Sequence, residues 1–202
     1  MSTRKRTFIG EGYFPILLSP IDRLSWRRNA ESMIGTQIRP AGPYDEERIR
    51  RFLVGLSLQT QTLRFFTGIS SPKAGLVRAL LAVDGRRDAI VAERDGEIIG
   101  HAMSYRSGLA DVEIAIVVTD EWQGRGLGRK LIATILGRAA CAGATTVGMD
   151  VLGENRRVLR LIRRIWPDAR MKVSSGCVEV TAMIQPAVVF AEQRSVGPPL
   201  TS

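Results

Sequence analysis

The chain has 202 residues, 45% hydrophobic and 24% charged, which suits one domain with a real core and modest extensions. No apolar run approaches the ~20 residues of a membrane span, and the early Arg4-Lys5-Arg6 is followed by no clean apolar stretch of the secretory kind. A cytoplasmic protein with no membrane partner is therefore expected. The formal charge of +9 suits an anionic partner, yet aromatics are only 6% and no nucleic-acid-binding motif is present, which argues against DNA or RNA.

Residues 1–35 read as an N-terminal extension broken by Gly10, Gly12, Pro15 and Pro20, with Ser19-Pro20 able to start a short helix. The regular pattern begins with a short strand over 36–40, ended by Pro40. A helix over 44–56 follows from Ile49, Phe52, Leu53 and Leu56 at helical spacing behind Asp45, Glu46 and Glu47. A second helix is expected over 72–81. Strands over 89–93 and 97–105 meet across Asp95-Gly96, a strong hairpin signal, and 111–118 is a third strand. Helix and strand then alternate: helix 126–142, strand 145–152, helix 154–165, and a final strand pair over 171–174 and 177–184. Cys141 and Cys177 read as packing residues, with no disulfide framework. Residues 186–202, with Pro186, Gly197, Pro198 and Pro199, read as a tail. Its Ala187-Val188-Val189-Phe190 run could add a strand to a second copy, which leaves a homodimer open.

The chemistry concentrates between residues 112 and 131. An apolar strand leads through Thr119-Asp120-Glu121-Trp122 into Gln123-Gly124-Arg125-Gly126-Leu127-Gly128-Arg129-Lys130. Glycines between a strand and a helix let backbone N–H groups converge on one point, and the helix N-terminus adds partial positive charge. Arg125, Arg129 and Lys130 strengthen the preference for phosphate. The alternative, a turn whose glycines only permit close packing, is the weaker reading for three glycines in five positions with three cations around them. The spacing fits neither the dinucleotide fingerprint nor the nucleotide-triphosphate loop.

The run Gln123-Gly124-Arg125-Gly126-Leu127-Gly128 resembles the acyl-CoA loop of the GNAT N-acetyltransferases, Gln/Arg-x-x-Gly-x-Gly/Ala. The element order over 36–184 and Asn155 at the head of a later helix match that family as well. The resemblance implies an α/β (α+β) GNAT fold over 36–185, a mixed central sheet of about six to seven strands with flanking helices. It implies acetyl-CoA as co-substrate and no metal. The main chain of Ile116, Val117 and Val118 would pair with the pantetheine arm. The N–H groups from Gly124 to Arg129 would hold the pyrophosphate, with Gln123 also among the cofactor-binding residues, and Asn155 would contact the cofactor near its thiol end.

Amine acetylation needs a base, and Glu113, an acid within Val112-Glu113-Ile114-Ala115-Ile116, is the candidate; the alternative is an acid on the open face of the sheet. The lone His101 reads as structural. Many GNAT enzymes carry a tyrosine where this chain has Ile162, so nothing obvious protonates the leaving thiolate. Leu56-Ser57-Leu58-Gln59-Thr60-Gln61-Thr62-Leu63-Arg64-Phe65-Phe66 and Val112-Glu113-Ile114-Ala115 look like the bacterial protein lysine acetyltransferases that modify acyl-CoA synthetases. A protein lysine is thus the expected acceptor, with a small amine as the alternative and a non-catalytic acyl-CoA sensor as a second one.

Overall fold

The computed structural model describes residues 35–106 and 108–185. The expected short helix near Ser19, the strand-forming tail and both terminal segments lie outside the described residues, Gly35 apart. No helix among the described residues is long and apolar enough to cross a membrane.

Seven strands form one sheet: β1 (Gln37–Pro40), β2 (Arg87–Arg94), β3 (Glu97–Tyr105), β4 (Val112–Val118), β5 (Thr146–Leu152), β6 (Arg170–Ser174) and β7 (Cys177–Met183). Their order across the sheet is β1-β2-β3-β4-β5-β7-β6. Five helices accompany them: α1 (Glu46–Gly55), α2 (Leu58–Phe65), α3 (Ala74–Leu80), α4 (Leu127–Cys141) and α5 (Arg156–Ile165). The mixed sheet of seven strands and the sequence of strands along the chain agree with expectation, and the hairpin turns at Asp95 and Gly96, whose φ angles of 52° and 82° suit a tight two-residue turn. One element departs from it. The segment after Leu56 forms the separate helix α2, so three helices rather than two stand between β1 and β2.

Alternation along the strands sorts the core onto two faces. Ile90, Ala92, Ala102 and Ile114 pack with Leu127, Leu131 and Ile135 of α4 and Leu159 and Ile162 of α5. Ala89, Val91 and Val117 pack with Ile49, Phe52 and Leu53 of α1 and Val77 and Leu80 of α3. A Cβ at Gly100 would stand 2.9 Å from Leu131 Cδ1, so α4 presses directly on β3.

One ionic cluster anchors the start of the domain. Arg39 grips the fully buried Asp45 with two hydrogen bonds of 2.8 and 2.7 Å and reaches Glu93, while Arg48 bonds both acids. Burial alone would push the Asp45 carboxyl up; its bonds from Arg39 and Gly42 outweigh that and hold it below the usual value. At the other end of the sheet Asp111 ties β4 to β5. Its carboxylate accepts from Thr145 N, Thr145 Oγ1 and Thr146 N at 2.8 to 3.0 Å, which together with the Thr146 hydroxyl depresses it to about 2.

Candidate acyl-CoA site

β4 and β5 are parallel neighbours, yet their register is only Val112↔Val147 and Glu113↔Gly148. On its other side β4 stays paired with β3 as far as Val118. The two strands therefore part after Glu113, and among the described residues no strand pairs with the second edge of β4 from Ile114 onward. Ile116, Val117 and Val118 lie along this open stretch. Val117 is buried in the core under α1 and α3, while Ile116 and Val118 are half-buried and pack toward α4 and α5; the alternation of the ladder with β3 turns the main-chain groups of Ile116 and Val118 toward the gap. The Val118 carbonyl there accepts from Gln123 Nε2 at 3.2 Å.

At the far end of β4 a 3-10 turn, Asp120–Trp122, leads into the glycine loop. Gly124 and Gly126 have φ of 79° and 91°, a backbone region that side chains with a Cβ disfavour. Gly126 is the N-cap of α4, and the first N–H groups of the helix, those of Leu127 to Arg129, have few intrahelical acceptors by helix geometry. The Leu127 side chain is fully buried in the core, so it anchors the loop and leaves its N–H for the site. A Cβ at Gly124 would stand 2.9 Å from Arg157 Nη2. The guanidinium of α5 thus fills the space a side chain would take, and a cation backs the loop. Arg125 lies over the Trp122 ring at 5.3 Å, and Arg129 is exposed. A strand edge ending in a helix N-terminus flanked by arginines fits a long ligand with a hydrogen-bonding arm and a pyrophosphate.

Gln123 plays a part beyond the one expected from sequence: its Nε2 also donates to Thr60 Oγ1 at 3.0 Å, which ties the loop to α2. Asn155 is the N-cap of α5, its Oδ1 accepting from Val158 N at 3.2 Å.

Glu113 stands at the fork where β4 and β5 part. Its Cγ packs over Gly148, where a Cβ would be only 2.9 Å away, and its Oε2 accepts a hydrogen bond from Tyr105. Sequence inspection overlooked Tyr105; its only signal was a polar aromatic on the strand beside Glu113. Burial first, then the bond to Glu113, push this phenol up to about 12. Asp150, two residues beyond Gly148, is raised by burial and by the charges of Glu113 and Glu179. A cavity of about 340 Å³ opens against Met103 and Tyr105, with Asp84, Arg86, Arg87 and Arg106 also among its walls. His101 lies within the sheet, fully buried, its Nε2 2.8 Å from the Leu80 carbonyl. Cys141 is exposed and Cys177 half-buried. The packing role expected of Cys141 is therefore not what is found, because it ends α4 at the surface.

Comparison with known proteins gives the family and the fold. Residues 58–165 match the family described as Acetyltransferase (GNAT) family. Acetyltransferase Pat of Mycolicibacterium smegmatis is 28% identical over 133 residues, 63% of this chain and 40% of that protein. The match thus spans well under two thirds of that relative's length. Among solved structures, the GNAT domain of S. lividans PAT superposes with a TM-score of 0.67 at 24% identity, covering 73% of this chain and 90% of that one. The spermidine N-acetyltransferase of Vibrio cholerae, solved with CoA and spermine, does so at 0.56 and 16% identity, covering 74% and 96%. A family match over more than half the chain, on a fold that these structures share, shows that the protein belongs to the acetyltransferase (GNAT) family, a family of acyltransferases.

Proposed function

We propose that the protein transfers the acetyl group of acetyl-CoA to a primary amine, with a protein lysine as acceptor and Glu113 as general base. The observation that carries this reading is the fork itself: an acid stands at the one point where the sheet opens between β4 and β5. The edge of Ile116 to Val118 would receive the pantetheine arm, the N–H groups from Gly124 to Arg129 the pyrophosphate, and Asn155 the thiol end.

An ammonium of pKa ~10.4 is about 3.4 units from neutrality at pH 7, so its deprotonation costs about 4.6 kcal/mol. In the proposed reaction Glu113 takes one proton from the ammonium. The neutral nitrogen then bonds to the acetyl carbon as the carbon–sulfur bond breaks, and the products are the amide, CoA thiol and one released proton.

The likeness of 56–66 and 112–115 to bacterial protein lysine acetyltransferases favours a lysine of an acyl-CoA synthetase. A small amine is the second reading; the cavity beside Tyr105 has Arg86, Arg87 and Arg106 against the single acid Asp84 in its wall, which suits a cationic acceptor poorly. The catalytic unit in this proposal is 36–185, working in the cytoplasm.

The test is CoA release from acetyl-CoA with purified acyl-CoA synthetases and with small amines such as spermidine. Release with a synthetase, and acetyl mass on one lysine, supports the first reading; release with amines alone moves the acceptor. Glu113→Gln should keep acetyl-CoA affinity and lower turnover by about 100-fold or more. Unchanged turnover removes Glu113 as base. Binding of acetyl-CoA with no release on either panel would point to a sensor instead.

A further inference from the structure

Glu113 is held from two sides by groups that the family loop does not include. Tyr105 and Glu113 are direct register partners of β3 and β4, so their side chains leave the same face of the sheet one strand apart. The Tyr105 hydroxyl donates to Glu113 Oε2. On the other side the Glu113 Cγ lies where a Cβ at Gly148 would come within 2.9 Å of it. We infer that Tyr105 is a positioning residue for the transfer: its hydroxyl occupies Oε2, fixes the plane of the carboxylate, and leaves Oε1 as the oxygen that takes the proton of the amine. This rests on the reading of Glu113 as base.

The surrounding charges make the bond matter. Asp150 on β5 and Glu179 on β7 are register partners on the same face, and Asp150 responds to the charges of both Glu113 and Glu179. From α2, Arg64 lies behind Tyr105, its Nη2 3.5 Å from Met103 Sδ, and its charge acts on the phenol. Glu113 thus faces one phenol donor, a cation behind that donor, and two further carboxylates. Without the donor, Oε2 would lose the hydrogen bond that holds the carboxylate plane against the like charge of Asp150. The phenol itself keeps its proton at any pH where lysine acetylation is run, so it is a constant donor.

The experiment compares wild-type protein, Tyr105→Phe and Glu113→Gln as full chains. The Glu113 carboxyl is followed by carbon NMR of glutamate-labelled protein, its signal identified by its loss in Glu113→Gln. CoA release with a purified acyl-CoA synthetase, or with spermidine where only that reacts, gives the pH–rate profile. Tyr105→Phe should shift the Glu113 carboxyl signal at fixed pH and lower kcat about tenfold across the pH–rate profile, with little change in acetyl-CoA affinity. An unmoved carboxyl signal or an unchanged kcat overturns the inference while leaving the base reading intact. A Glu113→Gln variant with full turnover overturns the base reading, and the role of Tyr105 with it. Should Tyr105→Phe fail to fold, Gly148→Ala crowds the carboxylate from the opposite side. It should lower kcat with acetyl-CoA affinity retained, and an unaltered kcat there counts against a fixed carboxylate plane.

Discussion

His101 shows how burial decides what a titratable side chain can do. The ring is fully enclosed, with one nitrogen at the Leu80 carbonyl and Nδ1 without a hydrogen-bonding partner. Burial first, opposed by that carbonyl and aided by the charge of Arg64, lowers it from 6.5 to about 4. The folded protein therefore keeps His101 neutral where the unfolded chain would protonate it. Stability from this residue is full above about pH 6.5 and is lost as pH falls toward 4, by about 3 kcal/mol at pH 4. His101→Asn keeps a donor for the Leu80 carbonyl and removes the titration. Urea unfolding at pH 7.5 and pH 4 should show the variant losing about 3 kcal/mol less than wild type; equal losses would mean that His101 takes up its proton in the folded state. Glu113 was legible at this same scale because an acid among β-branched residues stands out. Tyr105 was not, since its bond to Glu113 depends on a strand register that no local pattern specifies.

Among the elements, α2 is the one that sequence reading missed, and its packing explains why. Its residues Leu58–Phe65 carry no strong apolar stripe, and its buried side chains are Thr60 and Gln61. What fixes it is distant in the chain: Asp120 accepts from Ser57 N at 2.9 Å and from the hydroxyls of Ser57 and Thr60 at 2.7 Å. Burial raises the Asp120 carboxyl and these donors outweigh it, so the group stays below its usual value. Because Thr60 also receives Gln123 Nε2, the start of α2 and the glycine loop share one hydrogen-bonded junction. Asp120→Ala should cost about 1 kcal/mol of stability, as for a lost helix cap, and should also weaken acetyl-CoA binding by letting the loop move. Thermal unfolding together with calorimetric titration separates the two effects; a destabilised variant with unchanged affinity would show that the loop holds its shape without α2. By contrast the hairpin at Asp95-Gly96 and the loop positions Gly124 and Gly126 were legible, because left-handed backbone positions select their residues locally.

At the scale of the whole molecule, the charge of +9 named no partner by itself, and the fold gives part of it a location. Arg156, Arg157, Arg160, Arg163 and Arg164 all belong to α5, whose first turn stands beside the glycine loop. Arg157 is the one that reaches Gly124. In the proposed complex the pyrophosphate of CoA would meet this arginine and the start of α4 together, so attraction should be partly long-range and partly by contact. Long-range attraction between exposed charges fades as the screening length falls from about 10 Å at 0.1 M salt to about 3 Å at 1 M. Acetyl-CoA affinity measured by titration calorimetry should therefore fall about 10-fold between about 0.05 and 0.5 M salt. Arg157→Gln should bind more weakly at low salt and show a shallower dependence, because one of the screened charges is gone. A parallel loss at every salt concentration would assign Arg157 to packing of the loop alone. An affinity indifferent to salt in both proteins would place the phosphates away from α5 and leave the arginines to another surface.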